Sequence, residues 1–316
     1  MRRIMLLLAL AGAAAAGASA VDRADSRPLP RAPHCPIFPR TNQWNRRVDR
    51  LPVHLHSSEI VSSIGLSAHL HADFGSGRYQ GAPIGIPYNV VSRRQRRVGV
   101  SFTYADESDG HRYPIPRHVR IEGGRHSHGD RHVLVVNRSS CRLYELYAAY
   151  PVDGGRRWRA GSGAIWNLRA NRLRPRGWTS ADAAGLPILP GLARYDEARH
   201  GAIRHALRIT VPRTRRAYIY PARHFASDET DPRLPAMGQR LRLKRSFDVS
   251  RFPRQARIVL RALKRYGAIV ADNGAPWYVT GAPSRGWSND ALHTLQRVPG
   301  SAFQVVDTRY LPRPSR

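Results

Sequence analysis

The chain has 316 residues, a formal charge of +30 and two cysteines, Cys35 and Cys141. That length suits one large domain, and two cysteines with no metal-ligand spacing exclude a zinc-finger framework and a disulfide-dense mini-protein. Of 52 basic residues only Lys244 and Lys264 are lysine. The arginines are spread along the whole chain rather than gathered in a footprint, so nucleic acid is not an expected partner and a general attraction to anionic polymers is.

The chain opens MRRIMLLLALAGAAAAGASA. A basic start, an apolar run from Ile4 to Ala16 and the small residues Ala18-Ser19-Ala20 read as a signal peptide over 1–20, cut before Val21. No later stretch has about 18 uninterrupted apolar residues, so no membrane span is expected after cleavage. The mature chain reads as a secreted monomer, extracellular, periplasmic or cell-wall associated, with a disulfide between its two cysteines. A Pro/Arg-rich leader over 21–40 then precedes one globular domain over 41–310.

Short apolar runs punctuated by Gly, Pro, Asn and Asp predict a β-rich body. Runs 132–136 and 141–147 flank Asn137-Arg-Ser-Ser140 as a hairpin, and 163–168, 202–211, 217–220 and 240–244 read as strands. A helix is predicted from Pro253 to Tyr266, capped by Ser250 and stopped by Gly267, with Ile258, Val259, Ala262 and Leu263 on one stripe. Runs 268–271 and 277–280 suggest a second hairpin turning at Asp272-Asn-Gly274. A short helix over 289–296 and a strand over 303–307 finish the chain. The fold class expected is mainly β with α additions: an antiparallel β-sandwich, jelly-roll-like, decorated by two or three helices.

The stretch GWTSADAAGLPILPG (177–191) sets one acid, Asp182, among small and apolar residues. Thr179 three residues ahead of an acid is a helix-start pattern. A carboxylate held in poor solvent is also a candidate proton donor. Glu145 shares a strand face with Cys141, Leu143 and Tyr147, where an acid must be paired or protonated; an arginine is the expected partner. Arg194-Tyr-Asp-Glu197 supplies Asp196 and Glu197, and His205 stands in an apolar row where a satisfied core histidine is the plainer reading. The expected catalytic set is therefore Asp182 with Glu145, Glu197 or Asp196, and His205. Arg208, Trp178 and Trp166 are the expected substrate-binding groups.

His126, His128, Asp130 and His132 alternate as a ligand row would in a strand. Gly123-Gly124 and Gly129 make that segment a loop, and a cupin-like continuation to a glutamate is missing. No metal and no other cofactor are expected, although occupancy of this region is left open by the sequence. There is no Gly-x-Ser-x-Gly elbow, phosphate loop or His-Glu-x-x-His helix.

From Thr41 to Thr308 the chain resembles a family of exported bacterial proteins of uncharacterised function. The resemblance is carried by Leu70-His-Ala-Asp-Phe-Gly75, Gly85-Ile-Pro-Tyr-Asn-Val90, Asp130-Arg-His-Val-Leu-Val-Val136 and Tyr144-Glu-Leu-Tyr147. Trp178-Thr-Ser-Ala-Asp-Ala-Ala-Gly185, Arg194-Tyr-Asp-Glu197, His205-Ala-Leu-Arg208 and Ala271-Asp-Asn-Gly274 complete it. It includes the run around His71 but no histidine at His54 or His69, and it implies no activity. Export, acids in apolar settings and six tryptophans with thirteen tyrosines point to a carbohydrate-active enzyme, a glycoside hydrolase or polysaccharide lyase on an extracellular polysaccharide. A non-catalytic glycan-binding envelope protein is the alternative.

Overall fold

The computed structural model describes residues 26–313. The expected signal peptide lies outside the described residues. Among the described residues the protein is mainly β, with strands in three larger sheets and one two-stranded ribbon, none closed into a barrel.

The central sheet has four strands in the order β11-β8-β7-β4: β4 (Tyr88–Val91), β7 (Val133–Asn137), β8 (Arg142–Tyr147) and β11 (Ser162–Asn167). β7 and β8 form the expected hairpin, whose turn is tied by the Asn137 side chain accepting from the Ser139 and Ser140 amides. Every residue of β7 is buried, because the sheet is covered on both sides. Alternation sorts the side chains. Val133, Val135, Tyr144 and Leu146 join one core cluster with Val100, Tyr113, Trp158 and Ala160 of a second four-stranded sheet. That sheet has the order β6-β5-β10-β9, from β5 (Val98–Phe102), β6 (Arg112–Tyr113), β9 (Tyr150–Val152) and β10 (Arg157–Ala160). On the opposite face Leu134, Val136, Leu143 and Trp166 join the main core with Leu207, Ile209, Leu241 and Ile269.

Those last residues belong to a six-stranded mixed sheet, β1-β15-β12-β14-β13-β16. Its strands are β1 (His71–Asp73), β12 (Leu207–Val211), β13 (Arg240–Leu243), β14 (Ala268–Asn273), β15 (Tyr278–Thr280) and β16 (Phe303–Val305). The ribbon is β2 (Arg78–Tyr79) with β3 (Ala82–Pro83). Helix α3 (Arg254–Arg265) packs on β13 through the predicted stripe, and Gly267 at φ +70 ends it. Its N-terminus has no side-chain cap; Ser250 instead donates to Asp248. With α1 (Ser57–Ile64), α2 (Tyr195–Arg199) and α4 (Asn289–His293), four α-helices stand among the described residues.

One expectation is refined and two change. Pairing is antiparallel in eight of the twelve strand pairs among the described residues but not throughout: β1 with β15, β12 with β14, β4 with β7 and β5 with β10 run parallel. Residues 268–280 are not a hairpin, because β12 lies between β14 and β15 in the sheet. Asp272 is therefore a residue of β14 rather than of a tight turn. Segment 217–220 forms only the isolated bridge Tyr218–Met237, and strand structure in 202–211 begins at Leu207. The expected disulfide is present: Cys35 is bonded to Cys141, and Leu29, Ala32, Cys35 and Ile37 of the leader are buried in the main core.

Candidate active site

The segment around Asp182 is a turn, not a helix start. The Ser180 hydroxyl accepts from the Asp182 amide at 2.9 Å, and the Gly185 amide donates to the Asp182 carbonyl at 2.9 Å. Gly185 has φ +66, and a Cβ there would meet the Trp178 carbonyl at 2.5 Å, so a glycine is required. The Ala184 amide donates to the Ala271 carbonyl and docks the turn on β14.

The turn sets Asp182 against Arg208, and both are buried. Arg208 Nε and Nη2 donate to the two Asp182 oxygens at 3.1 and 2.9 Å. The same Nη2 donates to Asp272 at 2.8 Å, and Nη1 donates to the Thr280 hydroxyl at 2.9 Å. β12, β14 and β15 are neighbours, so one fork of donors ties three strands together. Burial lifts the Asp182 carboxyl to about 6 despite Arg208, and Arg208 is held well above its usual range by Asp182 and Asp272. Asp182 is thus ionised at neutral pH and its oxygens are engaged. A group so held positions Arg208; it is not free to protonate a leaving group.

Above this pair opens a cavity of about 340 Å³. Asp130, His132, Tyr147, Asp182 and Asp272 line it with Tyr104. Tyr104 and Tyr147 are solvent-exposed walls, while His132 is buried. His132 Nδ1 lies 2.6 Å from Glu122 Oε2, and Nε2 lies 2.9 Å from the Ala181 carbonyl. Burial alone would lower His132, but Glu122 outweighs it and lifts the imidazole to about 9. The Asp130 carboxyl is raised, first by desolvation and then by Glu122 and Asp272 as like charges. Asp73 of β1 pairs in register with Thr280 of β15 and lies within electrostatic reach of Glu122 and Arg208. Glu122, Asp130 and His132 each offer a ligand atom, all within 4.8 Å of one another, so this trio is able to hold an ion.

The other expected residues lie elsewhere. Glu145 is buried between the central and six-stranded sheets and is paired not with arginine but with N–H donors. The Ile188 and Leu189 amides reach it at 3.0 and 2.9 Å and the Trp166 indole at 3.1 Å. Burial pushes it up to about 7, against those hydrogen bonds. Glu197 forms a buried cluster with Arg194 at 3.0 Å and His205 at 2.9 Å, and also accepts from the Arg27 amide at 3.3 Å. Burial would raise it, but Arg194 and His205 hold it down to about 2. His205 is thus a core histidine whose other nitrogen meets the Ala206 carbonyl. Asp196 faces Arg194 at 3.9 Å. None of Glu145, Asp196, Glu197 or His205 lines the cavity. Trp166 and Trp178 border a different depression, with the Arg174 guanidinium over both rings.

Asp272, Tyr147 and Glu122 were not singled out by the sequence. Asp272 was read as turn chemistry, and Glu122 stands beside Gly123-Gly124, which marks a loop and no more. His126 and His128 are exposed and outside the ion-capable trio, because 123–131 is not a strand. Comparison with known proteins adds no name: no family model, no curated protein and no solved structure matches the chain.

Proposed function

We propose that this protein is an exported enzyme that cleaves an extracellular or cell-wall polysaccharide in the cavity above Asp182 and Arg208. The observation that carries the reading is Asp272, a partly exposed carboxylate held by Arg208, in one cavity with the Tyr147 hydroxyl. Cleavage of a glycosidic linkage needs a proton acceptor and a donor around one bond. Asp272 is the acceptor, its carboxylate held by the Arg208 guanidinium at 2.8 Å. Tyr147 is the donor: desolvation and then Asp130 raise its pKa, so the phenol stays protonated. Tyr104 and Tyr147 offer ring faces to a sugar, the role first expected of Trp166 and Trp178. Asp182 and Arg208 are positioning residues beneath.

Export rests on the N-terminal sequence and the family resemblance, and the Cys35–Cys141 disulfide and the lack, among the described residues, of any helix long and apolar enough to cross a membrane are consistent with it. The shared core of the two four-stranded sheets supports a sandwich-type architecture as part of the same reading. An anionic polymer is the proposed partner. A groove of about 550 Å³ lined by Arg50, Arg242, Arg245, Arg261 and Lys264, with Asp49 as its one acid, supports this.

The test is a panel of neutral and acidic polysaccharides, read for new reducing ends and for the absorbance of unsaturated uronates. Turnover by the wild type that Asp272→Asn abolishes supports the reading. A silent panel with specific retention on one polysaccharide would instead favour a glycan-binding protein.

A further inference from the structure

On the polysaccharide reading, and resting on it, we propose that His224 reads the substrate in the cavity. Its Nε2 accepts a hydrogen bond from a hydroxyl or amino group of the bound sugar, and the cavity takes such a donor-bearing ring rather than a uronate. His224 lines the cavity together with Asp130, Tyr147, Asp182 and Asp272.

The ring is held by one nitrogen and open at the other. His224 Nδ1 lies 2.8 Å from the Ala183 carbonyl, which only accepts, so Nδ1 carries a hydrogen. Nε2, across the ring, makes no hydrogen bond among the described residues. In the neutral imidazole it is a lone pair without a donor. The backbone fixes the orientation: the Arg223 and His224 amides both donate to the Ala184 carbonyl, at 2.9 and 3.2 Å. The ring also stacks on Phe225, 6° from parallel with centroids 5.7 Å apart. Ala183 and Ala184 follow Asp182, so the turn that positions Arg208 also orients this ring. Such an acceptor, half-buried in a cavity wall, takes its partner from whatever occupies the cavity.

The other groups of the cavity have the same polarity. Its hydrogens are spent on the protein. Arg208 donates to Asp182, Asp272 and Thr280, the Ser162 hydroxyl to the Ser180 carbonyl, and the Ser180 hydroxyl to the Leu186 carbonyl. Acceptors remain. The Asp130 carboxyl makes no hydrogen bond among the described residues, and Glu107 uses Oε2 for the Thr179 amide at 2.7 Å, leaving Oε1. The phenols of Tyr104 and Tyr147 keep a hydrogen to give. A hydroxylated or aminated ring brings donors to these acceptors, whereas a uronate adds a carboxylate to a wall that already holds Asp130 and Asp272. β-Elimination from a uronate needs a cation on that carboxylate, and Arg208 is already committed. An acidic polymer drawn to the basic groove therefore presents to the cavity a sugar without an acid group. Its linkage breaks by hydrolysis, water giving its hydroxyl to one end and its hydrogen to the other.

The experiment titrates the full mature chain by calorimetry with short oligomers of a β-glucan, a xylan, a chitosan and a polygalacturonate. Binding of a neutral or aminated oligomer, and not of polygalacturonate, is expected. His224→Asn keeps a donor for the Ala183 carbonyl and deletes Nε2. It should fold normally by circular dichroism yet bind about tenfold more weakly, the worth of one hydrogen bond. His224→Gln puts an acceptor oxygen near the Nε2 position and should bind better than His224→Asn, an order that a merely structural role would reverse. Preferred binding of polygalacturonate, release of unsaturated uronates, or no binding of any neutral or aminated oligomer overturns the inference. Equal binding by His224→Asn and wild type, or weaker binding by His224→Gln than by His224→Asn, does so too. The cleavage panel separates the two readings. Oligomer binding that His224→Asn weakens, with a silent panel, leaves His224 standing and removes the enzyme, whereas cleavage that His224→Asn leaves unchanged does the reverse.

Discussion

Asp272 and Asp182 share one guanidinium but differ in exposure, and that difference predicts opposite phenotypes. Asp272→Asn removes the proposed proton acceptor at the cavity wall and should lower turnover by about 10²–10⁴-fold with the fold kept. Asp182→Asn leaves the buried Arg208 short of its main partner and should cost about 3–5 kcal/mol of stability, read by urea denaturation. Glu197 gives a pH test. Its folded pKa is about 2 against a usual value of 4.5. The unfolded chain takes up the proton first as pH falls. The contribution is therefore fully present above 4.5 and is lost toward 2, amounting to roughly 3 kcal/mol. The stability gap between wild type and Glu197→Gln should narrow across that acid window. Glu145 acts with the other sign: lifted to about 7, it favours the fold below 4.5 and loses that advantage as pH rises through 7. That Asp182 and Glu145 were special could be read from the sequence, since each stood among apolar residues where an unpaired charge is costly, whereas Glu197 stood out only as one acid of Arg194-Tyr-Asp-Glu197. Which partner each takes could not, because Arg194, His205 and the Ile188 amide reach them only through folding.

At the scale of elements, strands and helices with clear periodicity were legible, α3 and the β7–β8 hairpin above all. Their neighbours were not. Residues 268–280 have the chemistry of a hairpin, but β12 enters between β14 and β15 and turns Asp272 from a loop residue into a wall of the cavity. The turn at 180–185 is likewise set by docking on β14 and not by a helix cap. Gly185→Ala should cost about 1–3 kcal/mol through the strained φ and the collision with the Trp178 carbonyl, and should weaken activity by shifting Asp182. The Cys35–Cys141 bridge spans 106 residues and fastens the leader to the central sheet. Replacing both cysteines with serine should lower stability by about 2–5 kcal/mol, measured as a shift in the denaturation midpoint.

For the whole molecule the excess of arginine acts at long range. Retention on an acidic polysaccharide matrix should fall as salt rises, because the screening length drops from about 10 Å at 0.1 M to about 3 Å at 1 M. Arg245→Ala/Arg261→Ala, which thins the basic groove, should reduce that retention more than paired changes at Arg156 and Arg172. If all these pairs behave alike, the attraction is diffuse and the groove has no special part in it.

Composition and local pattern were enough to determine that the chain is β-rich with amphipathic helices, that its two cysteines can close a long loop, and that it is strongly cationic. These properties follow from side-chain chemistry and from periods of two and 3.6 residues, which need no knowledge of distant neighbours. The cavity was decided only by tertiary structure. Asp130 and His132 enter from the start of β7, Tyr147 from the end of β8, and Asp272 and Arg208 from adjacent parallel strands. Strand order and register brought them together, and both arise from long-range packing that sequence spacing does not encode.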